Sequence, residues 1–245
     1  MQIENKEFWE IGDVIEVQDR NKAASNHELF LFEKAKLLFG SIDAVNTIKI
    51  FGCGTGREVN QIANFFNPNK IIASDISNNM IEKCNKNLTE WKINEITETK
   101  VINAKDYKSD SIFDLVTILN SMLTYVSEKK DRTQIFNNAY QILKKNGVII
   151  GTVHNQEGTF LKTMYFKIKN LFSFYYGDKV GNRMTGYNGY KVEGYYYAKK
   201  VLFQDLQNAS FKSIEIYSLD EYHQLIDIKY NRKKGYNNLI FVAQK

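Results

Sequence analysis

In 245 residues the chain holds a single proline, Pro68, two cysteines, Cys53 and Cys84, and three histidines, His27, His154 and His223. Each scarcity removes a class of protein. Neither cysteine sits in a CxxC pair, so a disulfide framework and a zinc site are not indicated, and both read as small buried hydrophobes of a reduced compartment. One proline leaves no Pro-rich linker from which a domain boundary could be read. No apolar run approaches the roughly 18 residues that cross a bilayer. The opening segment, Met1-Gln2-Ile3-Glu4-Asn5-Lys6-Glu7, lacks the apolar centre of a secretory signal. The expected location is cytoplasmic, with no membrane partner. Charge of one sign is also lacking: 33 Lys and Arg stand against 28 Asp and Glu, a net +5. No basic run exceeds Lys129-Lys130 or Arg232-Lys233-Lys234. Nucleic-acid binders gather positive charge on one face or in one run; the mild excess here fits a solvated surface best and fits an anionic small molecule as well as RNA. A small-molecule partner is expected, nucleic acid is not, and the chain is expected to be a monomer or a homodimer.

What the sequence does hold is apolar patterning. Apolar residues make up 43% and charged residues 25%, which suits one folded domain over 1–245. Short apolar runs alternate with helical periodicity. Strands are expected at 47–51, 70–75, 99–102, 112–119 and 147–153, with helices at 57–66, from Ser77 onward and at 131–143. Such alternation means right-handed βαβ units on a largely parallel sheet. Residues 1–40 read as an N-terminal cap, helical in its second half and closed by Gly40. After His154 the pattern changes. Residues 156–197 are crowded with aromatics and broken by glycines; they read as an inserted lid over the sheet's C-terminal edge. A helix near 199–209 and strands at 211–217 and 238–243 follow. The last two strands, with no long helix between them, suggest an antiparallel hairpin at the sheet edge.

The strongest local signal is the strand Ile48-Lys49-Ile50-Phe51 running into Gly52-Cys53-Gly54-Thr55-Gly56. Glycine is needed where backbone turns sharply and a ligand approaches it closely. Open α/β sheets bind ligands at this edge. A dinucleotide site wants G-x-G-x-x-G; here the third glycine comes one residue early, which shifts the reading from NAD to a nucleoside without phosphate. Asp75 ends the second strand, where an acid grips a ribose diol, and a carboxylate is suited to accept both hydroxyl hydrogens.

On these residues the chain resembles the class I S-adenosylmethionine-dependent methyltransferases. Gly52 to Gly56 match the family's first motif, Asp75 the second and Asn103-Ala104 the third. Phe113-Asp114-Leu115-Val116 match the strand-four motif, and Leu143 to Ile150 the turn into strand five. The resemblance implies a Rossmann-like three-layer α/β/α sandwich on a seven-stranded, mostly parallel sheet. It also implies S-adenosyl-L-methionine as cofactor and S-adenosyl-L-homocysteine as product. It places Gly52, Cys53, Gly54, Gly56, Asp75, Ile76, Met80, Asn103, Ala104, Asn120 and Ser121 around the cofactor. The family usually has Asp or Glu two residues before the first glycine, where this chain has Ile50.

His154 follows strand five at the same edge and could take a proton from a substrate hydroxyl or amine. His154 and Tyr125 are the candidate catalytic residues. Tyr187, Arg183 and Tyr195 are the candidate substrate contacts. No metal is expected. The expected activity is methyl transfer to O or N of a polar small molecule: a sugar, a nucleotide-sugar or a phosphorylated metabolite. An RNA or protein methyltransferase is the alternative, although Asn120-Ser121-Met122-Leu123 is not the N-P-P-Y type of segment. A non-catalytic cofactor-binding module is a third reading.

Overall fold

A computed structural model describes residues 4–20, 22–40, 45–187, 189–230 and 237–245. The Arg232-Lys233-Lys234 run lies outside the described residues, and so does the Tyr187 side chain. In chain order the helices are α1 (Asn5–Trp9), α2 (Gly12–Arg20), α3 (Asn26–Phe39), α4 (Arg57–Phe66), α5 (Asn78–Glu90), α6 (Lys129–Ile142), α7 (Phe160–Leu171), α8 (Ser173–Tyr176), α9 (Lys199–Asn208) and α10 (Leu219–Leu225). The strands are β1 (Thr47–Phe51), β2 (Lys70–Asp75), β3 (Thr97–Val101), β4 (Phe113–Ile118), β5 (Leu143–His154), β6 (Asn182–Tyr187), β7 (Tyr190–Tyr195), β8 (Lys212–Ser218) and β9 (Asn238–Gln244).

Seven strands form one sheet in the order β3-β2-β1-β4-β5-β9-β8. The first five are mutually parallel, and β9 runs antiparallel to both β5 and β8. The sheet is buried on both faces, which is why its central strands read as continuous apolar runs. Leu31 and Phe32 of α3, Val59 and Ile62 of α4 and Cys84 of α5 pack on one face. Ile135 and Phe136 of α6 with Leu202 and Leu206 of α9 pack on the other. Each such side chain contributes about 1.5–3 kcal/mol by leaving water. This is the Rossmann-like sandwich that the alternation implies.

Three details go beyond the sequence expectation. The N-terminal cap is helical in its first half too, through α1 and α2. Phe8 and Val14 are buried there against Val192 of β7. The closing strands β8 and β9 pair antiparallel at the sheet edge as expected, with the short helix α10 in the connection between them. Its start was readable: Ser218 Oγ accepts the Glu221 N–H at 3.2 Å and the Glu221 carboxylate accepts the Ser218 N–H at 2.7 Å, a reciprocal capping pair. Residues 156–197, whose internal structure the pattern left open, contain α7, α8 and the antiparallel hairpin β6–β7.

At the amino edge of the sheet Asp114 joins two strands. Its carboxylate accepts the backbone N–H of Asn46 and Thr47 and the Thr47 hydroxyl, at 3.0, 2.8 and 2.9 Å, and pairs with Lys144 at 2.8 Å. Burial works against the charge, but the Lys144 ammonium and the Thr47 and Asn46 donors outweigh it and lower the carboxyl pKa. Asp114 therefore sets the β1–β4 register. That register in turn decides what meets at the opposite, carboxyl edge.

Candidate active site at the carboxyl edge of the sheet

Phe51 pairs with Ser74 and Asp75 with Val101, so the chain leaving β1 turns directly beside the end of β2. Gly52, Gly54 and Gly56 all take positive φ, at 71°, 51° and 92°, a backbone that other residues adopt at a cost. A Cβ on Gly52 would stand 2.3 Å from Met122 Cγ, so no side chain fits there. The loop is tied down by its neighbours. Gly52 and Cys53 donate N–H to Ser74 O at 2.7 and 3.0 Å. Gly54 donates to Asp75 Oδ2 at 2.9 Å, and Ser77 donates to Asp75 Oδ1 at 3.0 Å. Burial pushes the Asp75 carboxyl upward, while the N–H groups of Ser77, Gly54 and Ile76 pull it back. A carboxylate has about four acceptor positions, so each Asp75 oxygen retains capacity for a ligand hydroxyl.

One cleft runs along this edge. Gly52, Gly54, Asp75, Ile76, Met80, Asn103, Ala104 and Asn120 line it, as does Tyr125. Cys53, Gly56 and Ser121 stand behind it. Cys53 is buried at the Cys84 thiol, and a Cβ on Gly56 would lie 2.8 Å from Cys84 Sγ. The Ser121 N–H donates to Thr152 Oγ1 at 2.8 Å. Asn103 Oδ1 accepts the Lys105 N–H at 3.2 Å and so caps a short turn at the cleft wall. Asn120 and Ser121 both have left-handed backbone, at φ 50° and 56°. Strain of this kind, about 1–3 kcal/mol per residue, collects at functional sites.

The sequence reading missed the contributions of the N-terminal helices and of the chain after β4. Asn5, Trp9, Gln18, Ile102, Met122, Val126 and Ile135 also line the cleft. The N-terminal helices are fastened to α5. Ser77 Oγ accepts the Met80 N–H at 3.0 Å and donates to Trp9 O at 2.9 Å. The Glu10 carboxylate accepts the N–H of Asn78 and Asn79 at 2.8 and 3.1 Å. Asn120 Nδ2 donates to Gln18 Oε1 at 3.1 Å, which brings α2 to the cleft. Ile50, at the position where the family usually has an acid, is fully buried in the core.

His154 lies beyond Tyr125. Its ring centroid is 6.3 Å from Tyr125 and 5.2 Å from Tyr196. Its backbone N–H donates to Thr124 Oγ1 at 2.9 Å. Burial, aided by the Lys162 charge, lowers the imidazole pKa to about 4. Arg183 of β6 is half-buried between Tyr165 and Tyr196, 5.7 Å from each ring. Tyr195 is buried away from these, with the Arg132 guanidinium 3.5 Å from its ring. Arg132 also donates to the carbonyls of Val126 and Ser127. Among the described residues no group of three His, Cys, Asp or Glu side chains is placed to hold a metal.

Residues 50–147 match the family model of a methyltransferase domain. The chain around this methyltransferase-domain match has the Rossmann-like fold described above. Solved S-adenosylmethionine-dependent methyltransferases share this fold. A SAM-dependent methyltransferase from Methanosarcina mazei is 19% identical with TM-score 0.62, over 82% of this chain and 92% of the other. The N-methyltransferase NodS from Bradyrhizobium japonicum, solved with S-adenosylhomocysteine, is 12% identical with TM-score 0.59, over 98% and 96%. Phosphoethanolamine N-methyltransferase 2 from Haemonchus contortus, solved with S-adenosyl-L-methionine, is 16% identical with TM-score 0.66, over 99% of this chain and 60% of that longer one. No curated protein matches the sequence. The open glycine backbone beside an incompletely used carboxylate fits a nucleoside with a ribose diol, such as S-adenosylmethionine.

Proposed function

We propose that this methyltransferase transfers a methyl group to a nitrogen or oxygen of a polar small molecule in the cytoplasm, with the acceptor at the Tyr125–His154 end of the cleft. The observation that carries this reading is the continuity of the glycine loop, Asp75 and Asn103 with Tyr125 in one cleft. S-adenosylmethionine supplies a methyl already activated on a sulfonium. Asp75 would accept the ribose hydroxyls. Ile76 and Met80 would lie against the adenine, and Asn103 and Ala104 would meet its polar edge. Gly52 and Gly54 would leave room for the amino-acid part, and Asn120 with Gln18 would offer it amide groups. That pair stands in for the acid absent at Ile50. Residues 156–197 would act as a lid, and α1 and α2 as a cap; together they exclude water and hold the acceptor in line.

His154 would receive the proton released by the acceptor on an imidazole nitrogen. With a pKa near 4 the ring is neutral at physiological pH but a weak base. An amine, whose lone pair is available without prior proton removal, suits such a site better than a hydroxyl. Two of the similar solved proteins are N-methyltransferases, which supports the same choice. A screen of amines and alcohols with methyl-labelled S-adenosylmethionine tests the reading. Labelled small-molecule product is expected. Label only in RNA or protein would refute it.

A further inference from the structure

Among the described residues, almost every buried or half-buried cation has a clear partner. Arg57 pairs with Glu28 and Glu58, Arg132 donates to two carbonyls, Lys169 donates to Lys179 O and Asn182 O, and Lys49 donates to Ser74 Oγ. Two cations depart from this habit and stand together. Lys162 of α7 and Arg183 of β6 are both half-buried, and each lies 5.7 Å from the Tyr196 ring. Among the described residues no carboxylate pairs with either. Lys162 is folded inward over Gly158, where even a Cβ would come within 2.4 Å of Lys162 Cε. The Tyr196 ring that carries both charges is 5.2 Å from His154. Two like charges held near one another, short of water and without a counter-charge, are unfavourable until an anion joins them. Burial and the Arg183 charge accordingly lower the Lys162 ammonium pKa to about 8.

We propose that Lys162 and Arg183 form an anion subsite that receives an acidic group of the methyl acceptor, a phosphate monoester or a carboxylate. The guanidinium fork presents paired donors to a planar or tetrahedral oxyanion, and the ammonium completes the neutralisation. An acceptor held there by its acidic end directs its other end toward His154 and Tyr125. This rests on the reading of the His154–Tyr125 end as the acceptor end. The test titrates inorganic phosphate and, separately, acetate into the protein saturated with S-adenosylhomocysteine, by calorimetry. Wild type is expected to bind one anion per chain, and Lys162→Met/Arg183→Gln to bind it at least tenfold more weakly with unchanged S-adenosylhomocysteine affinity. If the double variant does not fold, the single Arg183→Gln and Arg183→Lys variants replace it, with loss expected in the first and partial retention in the second. Equal anion binding by wild type and variant, or none by either, overturns the subsite. Failure of S-adenosylhomocysteine to bind would instead strike at the function proposed above, so the two failures are distinguishable. Preference for phosphate over acetate identifies the acidic group as a phosphate; the reverse identifies a carboxylate.

Discussion

Replacing Asp75 separates its two duties. Its carboxylate supports the loop through Gly54 and Ser77 at 2.9 and 3.0 Å, and its remaining acceptor positions face the cleft. Hydrogen bonds to a charged group are worth about 1.5–3 kcal/mol each. Losing two to a ribose diol therefore costs about 3–6 kcal/mol, roughly a hundredfold to ten-thousandfold in affinity. Asp75→Ala also strands the Gly54 and Ser77 N–H groups, at about 1–3 kcal/mol each if they stay buried, so part of any affinity loss could be structural. A double-mutant cycle removes that part. Calorimetry compares S-adenosylhomocysteine with its 2′-deoxyribose analogue, on wild type and on Asp75→Ala. The wild type should discriminate the two by at least tenfold and the variant by less than twofold. Equal discrimination in both proteins would place the ribose elsewhere and refute the argument.

Three further outcomes follow from the same geometry. Gln18→Ala should weaken S-adenosylhomocysteine by about 1 kcal/mol, the worth of a typical hydrogen bond, and leave methylthioadenosine, which lacks the amino-acid part, unaffected; equal losses for both would contradict the placement. With the imidazole at about 4, His154 is neutral at every pH well above that value, so its proton-accepting form is present there and lost only in acid. The His154-dependent acid limb of kcat/KM should fall near pH 4, and an inflection near 6.5 that vanishes in His154→Asn would show the ring to be normally solvated. Lys49 is fully buried, donates to Ser74 Oγ at 2.6 Å and lies 4.1 Å from the Tyr107 ring; burial lowers its pKa to about 7 from 10.5. The folded chain thus holds fewer protons than the unfolded one between about pH 7 and 10.5, and its stability should rise with pH across that window by up to about 5 kcal/mol at 1.36 kcal/mol per pH unit. Denaturant titrations of Lys49→Met should lose this slope, and an unchanged slope would assign it to other groups.

The residues legible in advance were those whose chemistry is local. Glycines at three required left-handed positions, a carboxylate at a strand end and a turn-capping asparagine each announce their backbone role by type and spacing. The parallel sheet was legible because strands buried on both faces must be apolar nearly throughout. What escaped notice depends on partners far along the chain. Nothing near Gln18 signals that it meets Asn120, because their contact is fixed by Glu10 and Asp19 docking on α5. Lys49 looks like an outward residue of an alternating strand, yet both faces of β1 are covered. Its amine is accommodated by Ser74, by the Tyr107 ring and by Phe51 of its own strand.

The same contrast governs the acceptor end. Aromatic crowding in 156–197 signals a packed insertion, but composition cannot separate inward from outward rings. The fold does so: Phe166, Tyr195, Tyr196 and Tyr197 are buried, while Phe160, Phe174 and Tyr175 face out. Arg183 acquires meaning only when α7 brings Lys162 to the same ring. The glycine turn and the strand-end carboxylate proposed for the cofactor are local in sequence. The side chains proposed for the acceptor meet only in the folded insertion, so the cofactor half of the proposal could be read from sequence and the acceptor half only from tertiary structure.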